Sequence, residues 1–241
     1  MIDTGCAFTS KELDSALREV PIERIINTHT HEDHIGANGI LQNRIKDLEI
    51  LAHPLALPVL SDPCFTQPLH PYRRLFWGWP TSSNARSLDD MELIETEQFS
   101  FRAIYTPGHS PDHICLHEQN RGWLFSGDLF VGGYDRALRA GYDIWKIIDS
   151  LKRVVRLPLT RLFPGSARVR EQPVQEIMSK IDYLEDLGNR VQELHGKGWS
   201  KSQIARHLLG KTMWVEIVTL GHFSRYNLIR SFLRQNEDSR R

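Results

Sequence analysis

The feature that most constrains this chain is the stretch NTHTHEDHIG at residues 27–36, which holds His29, His31, Asp33 and His34 within six positions. It follows the apolar segment ERIIN, which is predicted to be a short buried strand. Residues two apart on a strand point the same way, so both of the first two imidazoles are expected on one side. Imidazole and carboxylate are common zinc ligands, and burying such a cluster without a cation is costly. The stretch therefore predicts a metal site.

Helix and strand patterns alternate around this stretch. TSKELDSALREV predicts a helix with a capping box formed by Thr9 and Glu12. LEILAHP and FSFRAIYTPGH predict strands, and HICLHEQNRGWLFSGDLF predicts two strands joined by a polar turn. DIWKIIDSLKRVV has one apolar face and predicts an amphipathic helix. Sheets with helices packed on them are expected.

Residues 54–90 are rich in proline and aromatic side chains and too long for an ordinary connector. They predict a partly helical insertion or cap. Its aromatic residues either line a substrate pocket or pack the insertion onto the body of the protein; they are Tyr72, Phe76, Trp77 and Trp79.

From residue 171 the pattern becomes helical, which predicts two units, 1–170 and a small all-helical module at 171–241. SKSQIARHLLG has Ser200 and Gln203 at capping-box spacing. From His195 onward there are nine Lys or Arg against three Asp or Glu. This basic tail is either a solvated surface or a contact for an anionic partner, and WSKSQIARHLLG has the spacing of a helix-turn-helix.

Other classes of protein are disfavoured. The formal net charge of the whole chain is zero, so no general attraction to nucleic acid or membrane is expected. Three scattered cysteines, Cys6, Cys64 and Cys115, do not form a disulfide framework. The N-terminus lacks the pattern of a signal peptide, and no apolar stretch is long enough to span a bilayer. A cytoplasmic location is the expectation.

HTHEDH fits the HxHxDH signature of the metallo-β-lactamase superfamily, and TPGHSPDHICL, LFSGDLF and MIDTG are similar to further motifs of that family, in the same order over residues 2–166. The resemblance implies an α+β four-layer αββα sandwich. It also implies that His29, His31 and His109 bind a first metal, that Asp33 and His34 bind a second, and that Asp128 bridges both. A metal-held hydroxide oriented by Asp33 would be the nucleophile. Zinc is expected, one or two ions per chain, with iron or manganese as alternatives.

The chain departs from the family pattern in two places. FPGSARVR has Ser166 where a histidine of the second metal site is expected, which leaves a weak site, a site completed by water or substrate, a mononuclear enzyme, or rescue by His222 or His195. His113 is a candidate for orienting a ligand. The chain also has only two residues ahead of Asp3, where family members have strands. An N-terminally shortened sandwich has an open sheet edge, covered by a second copy in a homodimer or by residues upstream.

The motifs are most similar to a glyoxalase II-like branch and to a branch of β-lactamase-like endoribonucleases. A hydrolase of small-molecule esters, thioesters or lactones is expected, with Tyr72, Trp77, Trp79 and His222 as candidates for its substrate pocket. The alternatives are a nuclease or phosphodiesterase that uses the basic tail, and a non-catalytic metal-binding member. Nuclease activity would fall steeply with salt, whereas small-ester hydrolysis would not.

Overall fold

The computed structural model describes residues 1–66, 70–132, 134–166 and 168–238, with the backbone alone for Pro71 and for residues 235–238. Its first third alternates helix and strand as predicted. A 3-10 turn, Ala7–Thr9, is followed by α1 (Ser10–Ala16), β1 (Arg24–Ile26), α2 (Glu32–Ile35), α3 (Asn38–Arg44) and β2 (Glu49–Ala52).

The predicted capping box at the start of α1 is wrong. The Thr9 hydroxyl donates to the carbonyl of Cys6 at 3.3 Å instead of accepting from a helix N–H. The side chain therefore closes the preceding 3-10 turn and does not cap the helix.

Residues 54–90 are partly helical, as predicted. They contain a 3-10 turn (Pro54–Ala56), α4 (Leu57–Ser61), α5 (Pro63–Thr66), α6 (Pro71–Trp77) and the two-residue strand β3 (Arg86–Ser87). β3 pairs with β2, so this segment also completes a sheet.

The second half contributes the larger sheet and most of the helices. These elements are β4 (Leu93–Glu95), β5 (Ser100–Tyr105), β6 (Ile114–Glu118), β7 (Trp123–Gly127), β8 (Leu138–Arg139), α7 (Ile144–Val154), β9 (Arg161–Pro164), α8 (Pro173–Gly196), α9 (Lys201–Leu209), α10 (Trp214–Val218), β10 (Phe223–Ser224) and α11 (Arg225–Asp238). The capping box of Ser200 and Gln203 is confirmed. The short elements α10, β8 and β10 had no sequence signal.

Two sheets stack face to face. One is parallel with strand order β1-β2-β3, and the other has the order β4-β5-β6-β7-β9, antiparallel except for the β7–β9 pair. Side chains alternate between faces. Ile26 and Ala103 pack between the sheets, Ile25 packs with Leu41 of α3, and Ile104 packs with α7 and α8. The result is the expected αββα sandwich.

The N-terminal residues lie along the outer edge of β1. Ile2 forms a parallel bridge with Ile26. Beside them a cavity of about 580 Å³ opens between the sheets, with Phe101, Phe125 and Phe163 among its lining residues. Whether a second copy covers this edge stays a prediction.

The C-terminal helices share one core with the sandwich. Leu184 of α8, Ile204 of α9 and Phe232 of α11 belong to the same buried cluster as Ile148 of α7. β10 pairs antiparallel with β8, which ties the tail to residues 138–139. None of the helices in the described part of the chain combines the length and apolar character of a membrane span.

Candidate metal centre

The segment between β1 and α2 carries four of the candidate ligands. His31 is the N-cap residue of α2 and has an extended backbone (φ −68°, ψ 150°), so Asp33 and His34 follow in the first turn of the helix. Nε2 of His29 lies 2.8 Å from Nδ1 of His31. The two imidazoles converge, as the two-residue spacing predicts.

Two later segments add a histidine and a carboxylate. Nε2 of His109, from the loop after β5, lies 2.9 Å from Nδ1 of His31 and 3.4 Å from Oδ2 of Asp128, which follows β7. Ligand atoms of His29, His31, His109 and Asp128 all lie within 4.8 Å of one another. We call these four residues the first cluster.

A second cluster consists of Asp33, His34 and Asp128, whose ligand atoms also lie within 4.8 Å of one another. Nε2 of His34 is 3.5 Å from Oδ1 of Asp128. Asp128 therefore belongs to both clusters, as a bridging carboxylate would.

The donor set fits a metal ion. Ring nitrogens separated by 2.8 and 2.9 Å need either a proton or a cation between their lone pairs. Oδ1 of Asp128 is buried, and its facing group is Nε2 of His34 at 3.5 Å, a poor hydrogen bond for a carboxylate oxygen inside a protein. Imidazole nitrogen together with carboxylate oxygen suits zinc, iron and manganese.

Asp3 orients one ligand in each cluster. Its carboxylate accepts hydrogen bonds from the backbone N–H of Thr28 at 2.8 Å and from the Thr28 hydroxyl at 2.7 Å. That hydroxyl faces Nδ1 of His29 at 3.0 Å, and Oδ2 of Asp3 faces Nδ1 of His34 at 2.7 Å. Both Nε2 atoms are thereby left for a metal, in the usual carboxylate–histidine–metal arrangement.

The segment TPGHSPDH supplies a second set of supports. His113 contacts the Thr106 hydroxyl through Nδ1 at 2.8 Å and accepts the backbone N–H of Asp128 through Nε2 at 3.2 Å. Asp112 accepts the backbone N–H of Thr30 at 2.9 Å. His113 thus lies where the sequence suggested an orienting residue, and it acts on the backbone of Asp128.

The histidines of the first cluster are poised as neutral ligands. Burial lowers the pKa of His29 and of His31 well below the ordinary value, and the neighbouring imidazoles lower each further. Burial likewise lowers the pKa of His109 to about 3. A metal binding here displaces no proton at neutral pH.

The second cluster has the opposite electrostatics. Burial lowers the pKa of His34, but the carboxylates of Asp3 and Asp128 outweigh it and raise that pKa well above the ordinary value. Burial raises the pKa of Asp33. A metal at this position competes with the proton that these carboxylates favour on the His34 imidazole.

Ser166 is exposed. Beside it, a Cβ on Gly165 would lie 2.9 Å from both Oδ1 of Asp128 and Cε1 of His34. The rescue candidates lie outside both clusters. His195 is exposed at the end of α8, and His222 contacts the Tyr72 hydroxyl at 2.6 Å through Nδ1.

A cavity of about 260 Å³ adjoins both clusters. Tyr72 and Trp77 line it, together with Asp33, Asp128 and residues of α10 and β10, and their role in a substrate pocket stays a prediction. Trp79 does not line it, and Phe76 is exposed. A second cavity of about 640 Å³ lies beside it, where His222, His31 and His109 are among the lining residues.

Sequence reasoning missed three polar residues beside the clusters. The hydroxyl of Tyr142 lies 3.3 Å from Nε2 of His31, and Nη1 of Arg139 donates to that hydroxyl at 3.4 Å. Arg73 forms a fully buried ion pair with Glu32. No local pattern marks the first two, because residues 138–142 take their place by pairing with the C-terminal segment.

Comparison with known proteins gives one family. A model described as the metallo-beta-lactamase superfamily matches residues 1–166. Among curated relatives, "Beta-lactamase-like protein 2 homolog" of Drosophila melanogaster is 27% identical over 163 residues, 67% of this chain and 50% of that protein. "Hydroxyacylglutathione hydrolase" of Francisella tularensis subsp. novicida is 31% identical over 144 residues, 59% of this chain and 48% of that protein. The chain thus spans about half the length of both.

Another relative, "Atrochrysone carboxyl ACP thioesterase" of Aspergillus fumigatus, is 29% identical over 97 residues, 40% of this chain and 30% of that protein. Among solved structures, a beta-lactamase domain protein from Burkholderia ambifaria superposes with a TM-score of 0.72 at 18% identity, over 98% of this chain and 77% of that one. A protein crystallised in a di-iron-bound form has a TM-score of 0.57 and 28% identity, over 72% of this chain and 84% of that one.

Proposed function

Because the chain belongs to the metallo-β-lactamase superfamily, we propose that it is a metal-dependent hydrolase that cleaves an ester, thioester or lactone bond of a small molecule. The observation that carries the proposal is the convergence of four ligand atoms in the first cluster, with Asp128 shared with a second cluster. Zinc is the ion we propose, with iron as the alternative that the di-iron relative supports. A bound ion would polarise the scissile carbonyl and lower the pKa of a water molecule.

Asp33 is the proposed base. Its carboxylate lies in the second cluster and lines the 260 Å³ cavity. Burial raises its pKa, which improves its ability to accept a proton from the attacking water. The carboxylate would hold that water in line with the carbonyl carbon of the substrate.

Tyr142 is the proposed donor to the reacting oxygen. Its hydroxyl oxygen accepts from Arg139 Nη1 and contacts Nε2 of His31, whose Nδ1 points into the first cluster. Burial raises the pKa of the phenol, which keeps the hydroxyl proton in place. The hydroxyl also lies 3.5 Å from Nε2 of His109, so it stands beside the proposed metal position, where its O–H could stabilise an oxyanion.

The size of the site and the names of the relatives support a small acyl substrate. The cavity beside the clusters measures about 260 Å³ and is lined in part by Thr219 and Phe223 of the tail. Two relatives are named as a thioesterase and a hydroxyacylglutathione hydrolase, and a thioester is therefore the bond we propose first.

The proposal is tested by assaying the purified protein, loaded in turn with zinc, iron and manganese, on matched thioester, oxoester and lactone substrates. His31→Gln should remove hydrolysis, while His207→Gln, the same change on the exposed face of α9, should retain it. A protein that binds metal yet hydrolyses none of the three would overturn the proposal. If the protein instead cleaves an RNA oligonucleotide, and the rate of cleavage falls steeply with added salt, the nuclease function is favoured.

A further inference from the structure

Arg139 occupies the junction of the two cavities. It is one of five residues that line both, the others being His31, Arg73, His109 and Tyr142. Its place is set by β8, where it stands opposite Phe223 of β10. Arg139 therefore borders both cavities, next to the candidate ligands His31 and His109.

The charge of Arg139 is not neutralised by the protein. Among the described residues, no carboxylate lies within 4.0 Å of its guanidinium, and its hydrogen bond goes to the neutral hydroxyl of Tyr142. Three other cations with little exposed surface each meet a carboxylate: Arg73 meets Glu32, Lys180 meets Asp135, and Arg225 meets Glu216.

This difference has a physical meaning. A guanidinium has five N–H donors in a rigid fork that matches the two oxygens of a carboxylate or of a phosphate group. Arg139 is half-buried and lines both cavities, and its guanidinium carbon lies 5.7 Å from the centre of the Tyr142 ring. Among the described residues, its side chain makes one hydrogen bond, so most of its N–H donors have no protein acceptor. An anion that enters either cavity would supply the acceptors that these donors lack in the protein, through charge-assisted hydrogen bonds.

We propose that Arg139 binds an oxyanion carried by the substrate itself. The proposal rests on the proposed hydrolase function and narrows its substrate class to anionic esters or thioesters. Contacts of 3.4 Å and 3.3 Å join Arg139 through the Tyr142 hydroxyl to the His31 ring, so the anion and the scissile bond belong to the same small part of the substrate. The remainder of the molecule occupies the larger cavity, where Leu55, Val59 and Pro107 supply apolar walls.

The neighbouring charges favour a single anionic group. Glu32 neutralises Arg73, and Lys146 stands on the exposed rim of the larger cavity, where water screens it. Arg139 is thus the cation that faces the junction without a carboxylate partner. Arg139 is a specificity-determining residue, since it acts on a part of the substrate that does not react.

The test compares two thioesters of equal size, one with a carboxylate next to the acyl group and one with the matching primary amide. For the wild-type metal-loaded protein, kcat/KM should be higher for the acid. In Arg139→Gln, the kcat/KM for the acid divided by the kcat/KM for the amide should decrease by about 10- to 100-fold. This is the range for loss of a charged hydrogen-bonded pair. Lys211→Gln, which removes an exposed cation that lines neither cavity, should change the ratio by less than about threefold.

Direct binding separates this proposal from the hydrolase function. Propionate and methylphosphonate are titrated by calorimetry into metal-loaded wild type and Arg139→Gln. The anion that wild type binds more tightly shows whether the substrate carries a carboxylate or a phosphate-like group. If Arg139→Gln no longer binds these anions and wild type hydrolyses no substrate, the anion site is supported and the proposed hydrolase function is wrong. Hydrolysis with an unchanged ratio, and equal anion binding by both proteins, would overturn the anion site and leave the hydrolase.

Discussion

The two clusters share Asp128, yet one offers neutral ligands and the other a histidine with a raised pKa. In the first cluster, three imidazoles with lowered pKa values turn their lone pairs toward one point. In the second, the carboxylates of Asp3 and Asp128 raise the pKa of His34 and so favour its protonated form. The first cluster is thus better preorganised for a metal ion than the second, although the two clusters share a residue. The first position is ready for an ion, whereas at the second an ion competes with a proton.

The largest effect is expected from removing a ligand of the first cluster. His29→Gln should lower the metal content by at least one ion per chain and reduce hydrolysis by about 10³-fold or more, because an unligated site loses Lewis-acid chemistry. His34→Gln should remove only the second ion. Elemental mass spectrometry of both variants checks the difference, and equal losses in the two would contradict the unequal clusters.

The next effect concerns the residue that orients both clusters. Asp3→Asn keeps the size of the side chain but takes away the charge that faces Nδ1 of His34. Loss of such an outer partner typically weakens metal affinity about 10- to 100-fold. Competition with a chelator of known affinity measures it, and Asp14→Asn, a surface carboxylate paired with Arg44, is the matched control.

A smaller gain is expected from completing the second cluster. Ser166→His adds an imidazole where the family pattern has one, so the affinity for the second ion should rise by about tenfold or more while the first stays unchanged. Stepwise zinc titration resolves the two. A variant with unchanged second-ion affinity would mean that Ser166 does not replace a ligand.

The smallest effect is a difference in proton release. Because Asp3 and Asp128 raise the pKa of His34 and favour its protonated form, we expect the second ion to release up to one proton per chain at neutral pH. Its affinity should therefore fall about tenfold per pH unit as the pH drops. The first ion should release none at neutral pH, since the pKa of His109 is lowered to about 3. Calorimetry in buffers of different ionisation enthalpy counts the protons.

How much the sequence predicts depends on how local the signal is. The ligands of both clusters were predicted because four of them lie on one short segment and the other two in motifs at strand ends. That they bind metal stays a prediction until an ion is measured. Tyr142 and Arg139 were missed, since a pair of two-residue strands from distant segments positions them.

Local spacing alone also misleads. Thr9 with Glu12 and Ser200 with Gln203 have the same spacing, but only the second pair forms a capping box. Ser200 accepts the N–H of Gln203, whereas the Thr9 hydroxyl is already engaged by the carbonyl of Cys6. A competing local acceptor decided the outcome.

Because of the β8–β10 pair, the proposed metal ligands and the residues proposed to select the substrate come from different parts of the chain. The ligands of both clusters lie before residue 129, whereas Thr219 and Phe223 of the tail line the 260 Å³ cavity and β10 pairs with the strand that carries Arg139. Substitutions in the tail can therefore reshape what the site accepts without touching a ligand. In evolutionary terms, the two parts are free to diverge at different rates, and a new substrate preference can arise on an inherited metal centre.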